Sequence, residues 1–310
     1  MFAYVGFFLY LCARNCKMDN CCLMLKEQAF IFKSPDRDDW LAEIMAIRSA
    51  YVAPNTLLLT LSETIGLESF ANFHFVTLSC LIDYVKRQNG QVLFEARNRD
   101  LHNYILNDVR IRKYWQGDED EVFSTPEQKP FNLWRIVERY SSNYSIALNQ
   151  FFERVYFDGK DLTALHSCVA ELFQNIIDHA EADGNAFFAI TYRPDNRQLE
   201  IAICDFGVGI PYTLREIYPD SCEALRNCLI CGVTAGTKKH NRGFGMDNII
   251  STLSDTDCIR IVSNDAFLEK SHQREVVYPL PYNFRGTLIY FTISTDSFED
   301  KEFVEDLNFV

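Results

Sequence analysis

The sequence is short of positive charge. Its 310 residues contain 30 Lys and Arg against 43 Asp and Glu, so the formal net charge is -13 at pH 7. A chain this acidic repels the phosphate backbone of nucleic acids, which argues against nucleic acid as the main partner. The same charge does not exclude a single bound nucleotide, because backbone amides and a metal ion act locally.

The cysteines lack the spacing of a zinc site or a disulfide framework. There are eleven of them, and the group Cys222, Cys228 and Cys231 has no second Cys or His pair at zinc spacing. Others lie inside apolar runs, as Cys80, Cys168 and Cys204 do. We therefore expect free thiols in a reducing compartment, and a cytoplasmic protein.

No apolar run is long enough to span a membrane. The opening run, residues 2–13, falls short of the roughly 20 residues that a spanning helix needs. It also has no positive charge ahead of it, as a secretory signal would. We expect no membrane segment, and read the run as a core segment or as a sign that Met18, not Met1, is the true start.

The length favours two structural units, at roughly 150 residues for each domain. Residues 56–62 are typical of a buried strand, residues 73–87 of a helix and residues 91–96 of a second strand, which predicts a small α/β unit with a parallel strand pair. Residues 115–130 are acidic and contain proline, which indicates a linker. The predicted divisions are an N-terminal extension at 1–40, the small α/β domain at 41–125 and a second domain at 126–310.

The second domain alternates between helix and strand patterns. Helical periodicity covers residues 131–155 and, more strongly, residues 162–180. Four segments are typical of strands: residues 186–192, 199–204, 259–263 and 287–292.

Three polar residues form a stripe along the stronger helix. Glu171, Asn175 and His179 are spaced four residues apart, so they share one face of a helix. Such a stripe could be an exposed helix face. In a domain interior, however, it costs stability unless it binds something.

A carboxylate and two glycines follow the strand at residues 199–204. Asp205 can accept a hydrogen bond from an exocyclic amine, while Gly207 and Gly209 let the backbone lie close against a flat ring. Farther along, the basic loop 238–242 leads into Gly243 and Gly245 and then a helical start, where backbone amides can bind phosphate.

Together these motifs resemble the successive boxes of one superfamily. Glu-x-x-x-Asn, Asp-x-Gly-x-Gly, a loop ending in Gly-x-Gly, and Gly286-Thr287 before a strand are similar to the GHKL ATPases, which include gyrase, heat-shock chaperones, histidine kinases and mismatch-repair ATPases. The resemblance covers about the last 150 residues. It implies an α/β fold: a two-layer α/β sandwich of the Bergerat type, with a mixed sheet covered on one face by helices and the nucleotide between them, preceded by the small α/β domain.

The resemblance also implies roles, with ATP and Mg²⁺ as cofactors. On the adenine side, Asp205 would bind the adenine amino group, Gly207 and Gly209 would shape the pocket, and Thr287 would support recognition through Asp205. On the phosphate side, Asn175 would coordinate the magnesium. The remaining roles fall to Glu171, which would polarise the attacking water, and to Gly243 and Gly245, which would contact the phosphates from a lid.

The branch within the superfamily is indicated by His179, because serine kinases that act as anti-sigma factors often have His at this place. Residues 41–125 loosely resemble a STAS domain, the fold of the proteins that such kinases phosphorylate. A sensor kinase also needs a phosphoacceptor histidine followed by an acidic residue and usually proline, and His74, His102 and His166 lack that neighbourhood. Autophosphorylation on histidine is therefore not expected.

Two hypotheses of different class follow. The first is an ATP- and magnesium-binding switch enzyme, either a slow ATPase or a protein serine/threonine kinase in bacterial signalling, that acts on a regulatory protein partner or phosphoacceptor. The resemblance also implies a homodimer, because members of the superfamily often couple ordering of the lid to dimerisation. The second is a non-catalytic, nucleotide-gated interaction module, or a protein that only sequesters its partner. Activity of a Glu171→Gln variant distinguishes them.

Overall fold

The first part of the chain forms a small parallel sheet whose strands are connected by two helices, and a third, short helix follows the last strand. The computed structural model describes residues 27–109, 111, 131–230, 253 and 257–301. The elements of residues 27–109, which we call the N-terminal unit, are β1 (Glu27–Phe32), α1 (Arg37–Ala50), β2 (Thr56–Leu61), α2 (Asn72–Arg87), β3 (Gln91–Ala96) and α3 (Arg99–Asn103). The strands are parallel in the order β1-β2-β3.

Both connecting helices lie on the same face of this sheet. The two β-α-β crossovers step in the same direction across the sheet, and right-handed crossovers then leave α1 and α2 on one side. From that side, α2 contacts β3 and also three strands of the second part of the chain. The helices therefore form a layer between two sheets.

The second part of the chain forms a five-stranded sheet. Its strands are β4 (Phe131–Arg135), β5 (Ala186–Arg193), β6 (Gln198–Asp205), β7 (Ile259–Lys270) and β8 (Glu275–Ser294), in the order β4-β5-β6-β8-β7. Its described helices are α4 (Ser141–Tyr156), α5 (Thr163–Asn175), a π-helix at Ile176–Ala180 that continues α5, α6 (Ile210–Leu214) and α7 (Ser221–Cys228). The α/β sandwich expected from the resemblance is present, with α4 and α5 in the core on one face of the sheet.

The sheet departs from the expectation in two respects. All pairings among its described strands are antiparallel, so the expected mixed sheet is wrong for this part of the chain. The sheet is also covered on both faces instead of one, because the N-terminal unit packs on the face opposite to α4 and α5.

Alternation along the strands divides the hydrophobic core in two. In β5, Phe187 and Ala189 join the cluster that contains the N-terminal unit, whereas Phe188 and Ile190 join the cluster that contains α4 and α5. Successive side chains of a strand point to opposite faces, so a sheet covered on both sides reads as an unbroken apolar run. This explains why strand patterns in this region are continuous instead of alternating.

Most predicted elements are confirmed, and one is wrong. The predicted strands at 56–62 and 91–96 and the helix at 73–87 match β2, β3 and α2, and β2 and β3 are parallel. Residues 131–155, however, begin as the strand β4, and the α-helix starts only at Ser141, after a 3-10 turn at Glu138–Tyr140. In β4, Leu133 and Trp134 enter different clusters, as a strand period requires.

Other features were missed or lie outside the described residues. The sequence did not indicate β1 or α1, both of which begin within the predicted extension 1–40. Met1, Met18 and the whole of the predicted linker 115–130 lie outside the described residues, and the domain divisions remain predictions. In the part of the chain that the structure describes, no helix has the length and apolarity to cross a membrane. The described cysteines are free thiols.

A buried asparagine joins the two parts of the chain. Asn72, at the start of α2, is 2% exposed. Its side-chain amide donates to the Glu200 carbonyl at 2.7 Å and accepts from the Thr191 hydroxyl at 2.8 Å, and its backbone N–H donates to the Glu200 carboxylate at 2.6 Å. These bonds attach α2 to both β5 and β6.

We expect Asn72→Ala to lower the free energy of unfolding by about 2–4 kcal/mol, because the Glu200 carbonyl and the Thr191 hydroxyl stay buried without this partner. Urea denaturation of the full chain measures the loss. The exposed Asn103 is the control, and Asn103→Ala should change stability by no more than about 0.5 kcal/mol. Equal effects of the two variants would contradict the role of Asn72.

Candidate functional site

A buried carboxylate stands at the end of the central strand β6. Asp205 is the last residue of β6 and only 3% exposed. Its Oδ1 accepts a hydrogen bond from the Gly207 amide at 2.8 Å. In the register of β6 and β8, Asp205 lies opposite Thr287. Two of the predicted motifs, residues 205–209 and residues 286–287, therefore meet at this carboxylate.

The surroundings of Asp205 raise the pKa of its carboxyl group. Burial raises the pKa of Asp205 to about 7, although backbone hydrogen bonds from Gly207 and Thr287 and the positive charge of Arg48 each act to lower it. A carboxyl group near half-ionisation at neutral pH, held by two backbone amides at a strand end, is typical of a functional site.

Gly207 lets the loop 205–209 approach the end of the helical segment that carries the polar stripe. The Val208 amide donates to the carbonyl of Ala180 at 2.8 Å. A Cβ placed on Gly207 would stand 1.8 Å from that same oxygen. Because such an overlap is impossible without displacing the backbone, glycine is required for this contact.

Two further glycines shape the other side of the loop 205–209. Gly209 has φ +86 and Gly286 has φ +129, both in the region that favours glycine. A Cβ on Gly209 would lie 2.2 Å from Oδ1 of Asn264, and one on Gly286 would lie 2.1 Å from the backbone oxygen of Asp205. The backbone segments are therefore closely packed around Asp205.

Sequence reasoning missed two polar residues of β7. The Ser263 hydroxyl accepts from the Ile210 amide at 2.9 Å and donates to the Gly286 carbonyl at 2.8 Å. Asn264, at an irregularity in the β7–β8 pairing, donates to the Val208 carbonyl at 3.2 Å. In the sequence they appear only as a Ser-Asn pair at the end of an apolar strand. Their role is visible only when β7 is paired with β8, which carries Gly286-Thr287.

The stripe of three polar residues spans two kinds of helix. Glu171 and Asn175 lie on α5, which ends at Asn175, whereas His179 lies in the π-helix that follows. All three are partly exposed. The predicted continuation of the α-helix to residue 180 is therefore corrected at its last turn. Single π-helical turns inside helices frequently occur at functional sites.

The structure thus brings two elements against the loop 205–209. The end at Ala180 of the helical segment that carries the polar stripe contacts this loop directly, and so does the pair Gly286-Thr287. Gly243 and Gly245, with the basic loop 238–242, lie outside the described residues. Their predicted contact with phosphates stays a prediction.

One segment of the chain is similar to a known protein family. Residues 140–262 match the family model described as the histidine kinase-like ATPase domain. The match contains the helical stripe and the loop 205–209, and it supports the GHKL-type superfamily for this segment, with ATP binding as its general function. No curated protein matches the chain.

The match covers less than half of the chain. Gly286-Thr287 and the N-terminal unit lie outside the matched residues. The anti-sigma kinase branch and the STAS-like region remain predictions.

The raised pKa of Asp205 predicts how stability depends on pH. Between about pH 4 and pH 7 the unfolded chain ionises this carboxyl group while the folded chain keeps the proton. The free energy of unfolding should therefore fall across this window and level off above it. In the Asp205→Asn variant this component should be missing, as measured by urea denaturation at several pH values.

Asp161 provides the opposite case as a control. A hydrogen bond from Thr163 lowers the pKa of its carboxyl group, so its contribution is complete before this window begins. Asp161→Asn should leave the decline between pH 4 and pH 7 intact. A decline that persists unchanged in Asp205→Asn would show that Asp205 is not its source.

Proposed function

We propose that this protein is an ATP- and magnesium-binding switch protein, a slow ATPase or a protein serine/threonine kinase. The observation that carries the proposal is the buried carboxylate of Asp205, held by backbone amides at a strand end next to the helix of Glu171 and Asn175. The family match of residues 140–262 supports the nucleotide as the ligand.

The adenine ring would bind at the loop 205–209. A carboxylate is an acceptor that suits the exocyclic amine of adenine, and its two oxygens can accept more hydrogen bonds than the two that the amides of Gly207 and Thr287 donate. Gly207 and Gly209 themselves carry no side chains, so a flat ring could lie close to the backbone at these two positions. Thr287 would support recognition from the neighbouring strand.

The phosphates and the magnesium ion would bind beside α5. Mg²⁺ prefers oxygen ligands and is usually held by one or two protein groups together with substrate phosphates. The side-chain oxygen of Asn175 fits that role, and Glu171 lies one turn before it on the same helix. The described residues contain no cluster of three or more metal-binding His, Cys, Asp or Glu side chains, and a site of this kind does not need one. The ion would neutralise phosphate charge.

Glu171 is the proposed general base. It is partly exposed on α5, and the helical segment that continues α5 ends against the loop 205–209. From there it could reach a water molecule beside the terminal phosphate. His179, in the π-helix, would lie near the nucleotide, and Gly243 and Gly245 would contact the phosphates from a lid. Different affinities of ATP and ADP for open and closed lids would provide the switch.

We expect Asp205→Asn to weaken binding of Mg-ADP by about 10- to 100-fold, because the buried charged acceptor is lost. We expect Glu171→Gln to keep nucleotide affinity and lose about 100-fold or more in ATP turnover, because the base is lost. Calorimetry measures the affinity and phosphate release measures the turnover.

Glu153→Gln and Asp161→Asn are matched controls, because each makes the same change of side chain on the surface of the domain. Both should bind and turn over ATP like the wild type. A wild-type protein that binds no adenine nucleotide would refute the proposal.

The alternative is a non-catalytic, nucleotide-gated interaction module or sequestering partner. It predicts binding without turnover, and no loss of any activity in Glu171→Gln. If that variant retained full turnover, Glu171 would not be the base, and if the wild type showed binding alone, the interaction module would be favoured.

A kinase would show itself through its product. With ATP labelled on the terminal phosphate, we expect any label on a protein partner to be acid-stable, as phosphoserine and phosphothreonine are, and no acid-labile label on the chain itself. Acid-labile self-labelling would contradict the assignment, because it would indicate a phosphorylated histidine.

A further inference from the structure

The loop 205–209 is anchored in the N-terminal unit. Phe206 lies between Asp205 and Gly207. Its ring is 6% exposed and lies on the face of the sheet that the N-terminal unit covers. There it packs edge-on against Tyr84 of α2, with centroids 6.4 Å apart, and against Phe284 of β8, with centroids 6.1 Å apart. The residue next to the adenine carboxylate therefore belongs to the core shared with the N-terminal unit.

Arg48 of α1 holds the backbone at this point. Its guanidinium donates to the Phe206 carbonyl at 3.1 Å and also to the Arg285 carbonyl. The guanidinium carbon stands 4.3 Å from the centre of the Phe206 ring and 5.1 Å from that of Tyr84. A planar guanidinium has donors enough to bind two carbonyls while stacking on a ring, whereas a lysine has not.

One of the two carbonyls directly follows the end of β6, and the other lies in β8. Phe206 follows Asp205 directly, and Arg285 is two residues before Thr287, the cross-strand partner of Asp205. Arg48 thus connects β6 and β8 from behind the proposed pocket. Its charge also favours the ionised form of the Asp205 carboxyl group.

We propose that Arg48 is a positioning residue for the nucleotide pocket, through which docking of α1 and occupancy of the pocket by nucleotide stabilise each other. This rests on the proposed function of the loop 205–209. By linkage, a contact that improves nucleotide binding is itself strengthened when nucleotide binds. The N-terminal unit would then report nucleotide state through α1.

The experiment compares Arg48→Ala, Arg48→Lys and Arg37→Ala in the full chain. Arg37 is the matched control, because it lies on the same helix and also joins α1 to the second sheet, stacking 3.8 Å from the Phe267 ring centre and donating to the Tyr278 hydroxyl at 2.7 Å. Those partners lie in the β7–β8 hairpin, away from the loop 205–209.

We expect Arg48→Ala to weaken Mg-ADP binding by about tenfold, because hydrogen bonds to a charged donor are lost on both sides of Asp205. Arg37→Ala should lower the melting temperature and leave the affinity unchanged. Equal affinity of Arg48→Ala and wild type, or an equal loss in Arg37→Ala, would overturn the proposal. Absence of binding by the wild type would instead refute the proposed function.

The pH profile of Mg-ADP binding distinguishes a positioning role of Arg48 from an effect on the stability of the fold alone. The groups that act on Asp205 are Arg48 from α1, the thiols of Cys80 and Cys204, and the amides of Gly207 and Thr287. Burial raises the pKa of both thiols, so they stay neutral near pH 7. Loss of the Arg48 charge should therefore move the midpoint of the affinity–pH curve upward.

Arg48→Lys keeps the charge and loses the two-carbonyl geometry. It should retain the wild-type midpoint and recover only part of the affinity, and a midpoint that is the same in all variants would contradict the role assigned to Arg48. Hydrogen exchange of the wild type provides a test without substitution. Mg-ADP should slow exchange of the amides of α1, and unchanged exchange with nucleotide bound would overturn the coupling.

Discussion

The five-stranded sheet is buried on both faces, and the rest of the structure depends on this constraint. One face packs against α4 and α5, and the other against α1 and α2 of the N-terminal unit. With apolar side chains filling both faces, the sheet leaves little room for polar chemistry except where its strands end. The proposed site is at such an end, where Asp205, Ser263 and Thr287 meet on three neighbouring strands.

Close packing of backbone fixes the position of that strand end. Gly207 approaches the Ala180 carbonyl and Gly286 approaches the Asp205 carbonyl, at distances that allow no Cβ. Glycine loses more backbone freedom on folding than any other residue, so these contacts cost conformational entropy. They also keep Asp205 out of water, which is the main reason that its pKa is raised.

The N-terminal unit completes the second core and reaches the site from behind. Cys80 of α2 donates to the Cys204 carbonyl at 3.4 Å, Asn185 donates to the Cys80 carbonyl at 3.1 Å, and Arg48 binds the carbonyl of Phe206. A signal that moves α1 or α2 would therefore act on residues adjoining Asp205. Such an arrangement suits a switch protein better than a tethered pair of independent domains would.

The sequence by itself indicated α5 and the strands β5 to β8 in their chain order, and it identified Glu171, Asn175 and Asp205 as candidates, because apolar periods and short polar motifs are local properties. It assigned the whole of β4 to a helix and missed β1 and α1, whose local patterns do not distinguish strand from helix. Only the tertiary structure decided that Ser263 and Arg48 lie beside Asp205. Those contacts join residues far apart in the chain, and they arise from strand pairing and from the packing of α1 on β8, which no local pattern encodes.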